Sequence, residues 1–351
     1  MAVAPNNIIA QEFGKRFALY HGDCVEVARQ LPDNSLKYTI FSPPFISLYT
    51  FSDDPRDMSN CADDRVFWEH FRFLARELFR ATTPGRLVSI HCMQLPTSKI
   101  RDGFIGLRDF RGEIIRLFQE EGFIYHSEVC IRKDPVSAMQ RTKAIGLLHK
   151  QICKDSSLSR MAIADYVVNV AKAQSADYVV SLRKDGENPE PVAGAFDAYY
   201  GCETAPDGML ITETGNLRTA NGPGDPWYSV AVWQRYAEPV WMDIAQSDVL
   251  SHKLAREEED ERHISPLQLT VIRRCMQLWS NPGDAVFSPF AGIGSELYVA
   301  LEMGRRAIGA ELKESYFRQA VRHLHETESA VDAGDLFSRI QNEDERALAC
   351  A

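Results

Sequence analysis

With 351 residues, 45% hydrophobic and 25% charged, the chain is long enough for one large core or two modest ones and too apolar for a disordered segment. Its formal charge of -10 repels a polyanion at long range, so a nucleic-acid partner has to be met by a local basic patch. Met1 to Gln11 has no basic region or long apolar run, no stretch could span a bilayer, and the eight scattered cysteines include no Cys-x-x-Cys pair; the expectation is a cytoplasmic protein with reduced thiols, no disulfide framework, no metal and no membrane contact.

Phe17 to Tyr20 predicts a strand, His21-Gly22-Asp23 a turn and Cys24 to Leu31 a helix. Leu36 to Ile40 predicts a buried strand that breaks at Ser42-Pro43-Pro44-Phe45. Two consecutive prolines supply no backbone N–H, hold φ near the extended region and leave carbonyls that no neighbouring strand claims. With a hydroxyl before them and an aromatic after, they form a rigid frame suited to a flat, amine-bearing ring, its NH2 donating to the oxygens and its face on Phe45. Taken alone, the stretch is more simply a proline-stiffened turn beside a core phenylalanine.

Phe45 to Asn60, which contains Tyr49, reads as a loop beyond that frame. Phe67 to Phe79 predicts a helix closed by Thr83-Pro84-Gly85, Arg86 to His91 a strand and Ile114 to Gln119 a helix; Phe123 to Arg132 and Tyr166 to Val170 predict two further strands. This alternation is that of an α/β sheet. Met139 to Arg160 carries Arg141, Lys143, Lys150, Lys154 and Arg160 against one acid, Asp155. A solvated helix face and a phosphate-contacting insert both account for it. Ser175 to Gly222 reads as a poorly patterned excursion or small subdomain, not a sheet layer. The aromatic run Trp227, Tyr228, Trp233, Tyr236 and Trp241 suits either a stacking surface or the packing of an irregular segment.

Near the far end, Ala285-Val286-Phe287 predicts a strand, Ser288 to Ser295 a glycine turn, Glu296 to Met303 a helix and Ala307 to Ala310 a strand capped by Glu311. Strand, glycine turn, helix, strand, acid is the plan that sets a nucleoside against the carboxyl edge of a sheet, the acid accepting from both ribose hydroxyls. Leu297 stands where a dinucleotide fingerprint has its third glycine, which favours a nucleoside without pyrophosphate, S-adenosylmethionine being the obvious one.

Together the two stretches resemble the DNA amino-methyltransferases, which move a methyl group from S-adenosylmethionine to cytosine N4 or adenine N6. Ser42, Pro43, Pro44 and Phe45 match that family's catalytic motif of Ser, Asn or Asp followed by Pro-Pro and an aromatic. Pro289, Phe290, Gly292 and Gly294 match its cofactor motif, with Ser288 in place of the usual Asp and Ser295 in place of the usual Thr. The order, catalytic before cofactor, is similar to the permuted β group. The resemblance implies a doubly wound, mostly parallel, Rossmann-like α/β sheet, circularly permuted and carrying an inserted target-recognition region. It implies a catalytic half at 12–135, a basic recognition insert at 136–165, a continuation strand with an irregular aromatic-rich region at 166–250, a cofactor half at 251–330 and a C-terminal tail at 331–351. It further implies that Asp23 lies near the cofactor adenine amine, and that His263 and Pro266 begin the helix preceding the cofactor strand, facing the methionine part. DNA contacts are expected from Tyr49 and from Arg141, Lys143, Lys150, Lys154 and Arg160. Double-stranded DNA is the implied partner, a restriction endonuclease is an admissible second one, and oligomeric state stays open.

The chemistry that follows is direct. The exocyclic nitrogen is a poor nucleophile because its lone pair is delocalised; hydrogen bonds to Ser42 Oγ and the Pro43 carbonyl push it toward a pyramidal shape. Holding nitrogen, methyl and sulfur in line can contribute about 7–11 kcal/mol, and the target base has to leave the duplex to reach the frame. C5 methylation of cytosine, which needs a cysteine after proline, is excluded because the sequence has no Pro-Cys pair. Ser before Pro-Pro favours cytosine N4, whereas Phe41, where N4 enzymes usually carry Thr, keeps adenine N6 open. A binding relative without turnover, suggested by Ser288, is a further alternative. Methylation of RNA or protein glutamine is another, though its motifs usually run in the reverse order.

Overall fold

The computed structural model describes residues 8–45, 57–58, 61, 64–97, 99–133, 160–163, 166–169, 176–192, 228–251 and 266–349. In chain order the elements are β1 (Ile8–Phe13), β2 (Phe17–Gly22), α1 (Cys24–Gln30), β3 (Leu36–Phe41), α2 (Asp64–Ala81), β4 (Thr82–Met93), β5 (Leu95–Pro96), α3 (Lys99–Asp102), β6 (Leu107–Arg108), α4 (Phe110–Glu120) and β7 (Phe123–Ile131). They continue with β8 (Arg160–Ile163), β9 (Tyr166–Asn169), β10 (Asp177–Lys184), α5 (Tyr228–Ala237), β11 (Val240–Trp241), α6 (Leu269–Trp279), β12 (Ala285–Ser288), α7 (Ser295–Glu302), β13 (Arg306–Glu311) and α8 (Glu314–Ala349).

One nine-stranded sheet runs in the order β1-β2-β13-β12-β3-β4-β10-β7-β11. The β2-β13-β12-β3-β4 block is parallel throughout, whereas β10 is antiparallel to both its neighbours. Alternation along the strands sends side chains to two cores, as a period of two requires. Tyr38 and Ile40 of β3 pack with α6, α7 and α8 on one face. Phe41 of β3, with Val88 and Ile90 of β4, packs with α1, α2 and α4 on the other. This is the doubly wound, mostly parallel sheet expected from the sequence.

Three expectations are corrected. Asp177–Lys184, inside the stretch read as no sheet layer, forms β10, paired along its length with β4 and β7. Val180 and Leu182 are wholly buried there, and its polar residues find partners across the sheet, Ser181 Oγ lying 2.8 Å from Ser89 Oγ. Its composition therefore resembles a loop while its environment is a core. β9, although a strand, pairs only with β8 in a separate two-stranded sheet. Thr83-Pro84-Gly85 does not separate α2 from the next strand; it lies within the start of β4, where the pairing with β3 shifts between Leu36 and Tyr38 and Gly85 adopts φ +75°, the signature of a local bulge. The aromatic run divides: Trp241 is buried against Arg274, 5.1 Å from its guanidinium, while Trp233 is exposed.

Neither β1 nor α8 has a counterpart among the sequence expectations. The two ends meet because Glu328 of α8 accepts from the backbone N–H groups of Lys15 (3.0 Å) and Arg16 (2.7 Å). Below the parallel block, Arg86 of β4 and Asp284, just before β12, form a buried ion pair at 3.0 Å. No described helix is long and apolar enough to cross a membrane.

Candidate active site

β3 and β12 are adjacent and parallel, Tyr38 opposite Val286 and Thr39 opposite Phe287. Both therefore end at the same rim, and the turns that follow them, remote in sequence, emerge side by side. Phe41 and Phe290 stitch the two together, ring centroids 5.7 Å apart. Between the turns lies a cavity of about 190 Å³. Ser42, Pro43, Pro44 and Phe45 line one side; Pro289, Phe290, Gly292 and Ser295 line the other, with Asp23, Pro266 and Glu311 around the rim.

The glycine side is held largely by backbone. Ala291 N–H donates to Ala310 O at 2.9 Å, and Gly294 N–H to Ala291 O at 2.7 Å. Gly292 sits at φ +53°, and nothing lies within 4 Å of where its Cβ would project, so its missing side chain leaves open space beside the cavity. Gly294, at φ +91°, turns away from the cavity lining and toward α8, where a Cβ would come within 3.2 Å of Ala320 Cβ. Its role is to close the loop onto that helix. Glu311 accepts from Gly292 N–H through Oε2 (2.7 Å) and from Lys313 N–H through Oε1 (2.8 Å). Burial pushes its carboxyl up to about 7 despite those hydrogen bonds. Asp23 caps α1, Oδ1 accepting from Val25 N–H and Glu26 N–H. Ser288 is wholly buried at the end of β12, its hydroxyl unpartnered among the described residues, and it does not line the cavity.

The proline side is held by side chains. Ser42 Oγ lies 2.8 Å from His91 Nδ1, and the Phe45 ring meets Phe110 edge-on at 6.0 Å. His91 Nε2 is 3.2 Å from Asp177 Oδ2, and Asp177 Oδ1 is 2.6 Å from Lys133 Nζ. Burial works to raise the Asp177 carboxyl, but His91 and Lys133 outweigh it and hold the group below the ordinary carboxylate range.

Four residues that the sequence reading missed stand out. His91, Asp177 and Lys133 come from or follow strands distant in sequence, and no spacing rule links them to Ser42. Glu296, in the first turn of α7, is 5% exposed and lines the cavity; burial raises its carboxyl to about 8, and the Glu311 charge adds to that. An acid directly after the glycine turn was the available signal. Tyr49, Arg141, Lys143, Lys150, Lys154 and His263 lie outside the described residues, and Arg160 opens β8.

A DNA methylase family profile (N6_N4_Mtase) matches residues 37–322, a span containing both turns. The chain belongs to the DNA methylase family. Among curated relatives, it is 33% identical over 87 residues to the putative methylase YubD of Escherichia coli K12, covering 25% of this chain and 37% of that protein. It is 36% identical over 67 residues to the DNA adenine methyltransferase YhdJ of the same strain, covering 19% and 23%. The matched stretches thus span well under half of those relatives. Among solved structures, a putative DNA modification methylase from Thermus thermophilus, complexed with S-adenosyl-L-methionine, superposes with a TM-score of 0.55 at 20% identity, over 88% of this chain and 93% of that one. The cytosine-N4-specific PvuII DNA methyltransferase superposes with a TM-score of 0.57 at 14% identity, over 90% of each. At these identities the superpositions establish the shared methyltransferase fold.

Proposed function

We propose that this protein transfers a methyl group from S-adenosylmethionine to the exocyclic amine of a base in DNA, with cytosine N4 as the favoured target. The observation that carries this reading is that the Ser42-Pro43-Pro44-Phe45 turn and the Gly292 loop face one cavity. That cavity suits the cofactor: Gly292 leaves open space beside the backbone, Phe290, Leu267 and Tyr316 offer apolar walls, and Glu296 and Glu311 supply carboxyl groups, which a cationic ligand would draw into their ionised form, for a ligand rich in hydroxyl, ammonium and sulfonium groups. S-adenosylmethionine supplies an electrophilic methyl on a positively charged sulfur.

The rest falls to the chain's own residues. Pro43 and Pro44 have no N–H, so the frame presents acceptors only, Ser42 Oγ and the Pro43 carbonyl, to an incoming NH2. Accepting from both hydrogens localises the nitrogen lone pair. Phe45 receives the face of a base drawn out of the duplex, and Tyr49, Arg141, Lys143, Lys150, Lys154 and Arg160 serve DNA contact and target recognition. The N6 reading remains the second one, favoured by the similarity to a relative named as a DNA adenine methyltransferase. The test is nucleoside mass analysis of methylation-free DNA incubated with the protein and isotopically labelled S-adenosylmethionine. Labelled N4-methylcytosine is expected; labelled N6-methyladenine would move the assignment to adenine, and no labelled nucleoside would overturn it.

A further inference from the structure

The sheet places one polar residue from each of four neighbouring strands, or just beyond it, along the proline rim: Ser42 after β3, His91 in β4, Asp177 opening β10 and Lys133 after β7. Val179 is the register partner of His91, so Asp177, two residues earlier, is its same-face diagonal neighbour. Asp177 is 3% exposed, and His91 together with Lys133, the latter at 2.6 Å, holds its carboxyl below the ordinary range. A carboxylate on the Nε2 side of the ring assigns the proton to Nε2 and leaves the lone pair on Nδ1. The Ser42 hydroxyl then donates to Nδ1 at 2.8 Å, and both Oγ lone pairs remain for the cavity. The Nε2–Oδ2 separation of 3.2 Å is within ion-pair range but off the line of a formed hydrogen bond, as is common before a substrate tightens a site.

We propose that His91, held by Asp177, is a positioning residue that fixes the Ser42 hydroxyl as an acceptor for the target amine and takes up, through Ser42, the proton the amine loses. The proposal rests on the methyl-transfer reading above. The amine lone pair forms the N–C bond as the C–S pair passes to sulfur, leaving a neutral thioether and a cationic nitrogen. That nitrogen gives its proton to Ser42 Oγ while the Ser42 proton passes to His91 Nδ1. The imidazolium is stabilised by Asp177 and later releases the proton to solvent. The same three residue types make the nucleophile of acyl-transfer enzymes, but the α/β-hydrolase form of that site takes an oxyanion N–H donor from the residue after the serine, and Pro43 has none.

Two variants and one spectrum test this. His91→Asn keeps an acceptor for the Ser42 hydroxyl but cannot take up a proton; Asp177→Asn removes the charge that stabilises the imidazolium. Each is expected to lower kcat by about 10²-fold or more with S-adenosylmethionine affinity nearly unchanged; the thermal midpoint holds in His91→Asn and falls in Asp177→Asn, which leaves Lys133 without its buried partner. The charged group beside Asp177 is Lys133; the Cys92 and Cys130 thiols also feel the Asp177 charge, and burial raises both. Glu296 and Glu311 titrate on the opposite rim, so the report is the loss in His91→Asn of an acid limb present in the wild-type kcat profile. Nitrogen-15 spectra of the ligand-free wild-type protein should show the Nε2–H tautomer of His91, a readout that survives if a variant fails to fold. An Nδ1–H tautomer, or a His91→Asn enzyme with unaltered kcat and acid limb, overturns the relay. A wild-type protein that methylates no DNA overturns the functional reading instead.

Discussion

The two rims of the cavity are assembled in opposite ways. The glycine rim comes from one continuous stretch, Ala285 to Lys313, in which backbone N–H groups at Gly292 and Lys313 hold the Glu311 carboxylate. The proline rim gathers Ser42, His91, Asp177 and Lys133 from four strands and holds them by side-chain contacts. Backbone-held geometry depends on local conformation and tolerates changes in side chain. Side-chain-held geometry depends on sheet order, and each member is exposed to single substitution.

The largest effect should come from breaking what the rims share. Arg86→Met leaves Asp284 buried without its partner at the start of β12 and is expected to cost about 3–5 kcal/mol of stability, measured by urea unfolding, with both rims lost together. Ser42→Ala touches one rim only. It should lower methyl transfer by about 10²–10³-fold with cofactor affinity in calorimetry nearly unaltered; a near-normal rate would remove the amine-polarising role. Glu311→Ala should show the converse. Cofactor affinity falls first, by about 1.5–3 kcal/mol, and an unchanged dissociation constant would detach the acid from the ligand. Gly294→Ala, at φ +91° against Ala320, should cost about 1–3 kcal/mol of stability, since it strains the backbone on which the glycine rim depends.

The smallest and most diagnostic effect is on pH dependence. Glu296 and Glu311 have carboxyls raised to about 8 and about 7 by burial, so above the ordinary carboxylate range the folded state binds protons that the unfolded chain has released. Stability of the ligand-free protein therefore falls as pH rises from about 5 to about 7, by up to about 1.4 kcal/mol per unit for each group still protonated in the folded state, and levels off once both have ionised above about 8. Glu296→Gln should flatten that slope in thermal melts. An unchanged slope would mean that Glu296 is already ionised in the empty cavity.

Much of the architecture was written locally. Apolar runs at Leu36 to Ile40 and Ala285 to Phe287 announce strands, paired prolines and paired glycines announce the turns that end them, and Glu311 follows its strand at the spacing a nucleoside requires. β10 was not legible, because Asp177, Ser181, Arg183 and Lys184 carry a loop's composition and only the neighbouring strands reveal their partners. Gly294 also needed the fold to separate its part from that of Gly292, since only the position of α8 shows which glycine faces the cavity.

The amino-acid order by itself determined the two turns and the α/β alternation, because each depends on torsional preference and periodicity within a few residues. Tertiary structure decided that His91 stands against Ser42, that Asp177 backs it and that Glu296 shares a cavity with Glu311. Those relations arise from strand order and register across a twisted sheet, where residues far apart along the chain become neighbours only after the long-range pairing has formed.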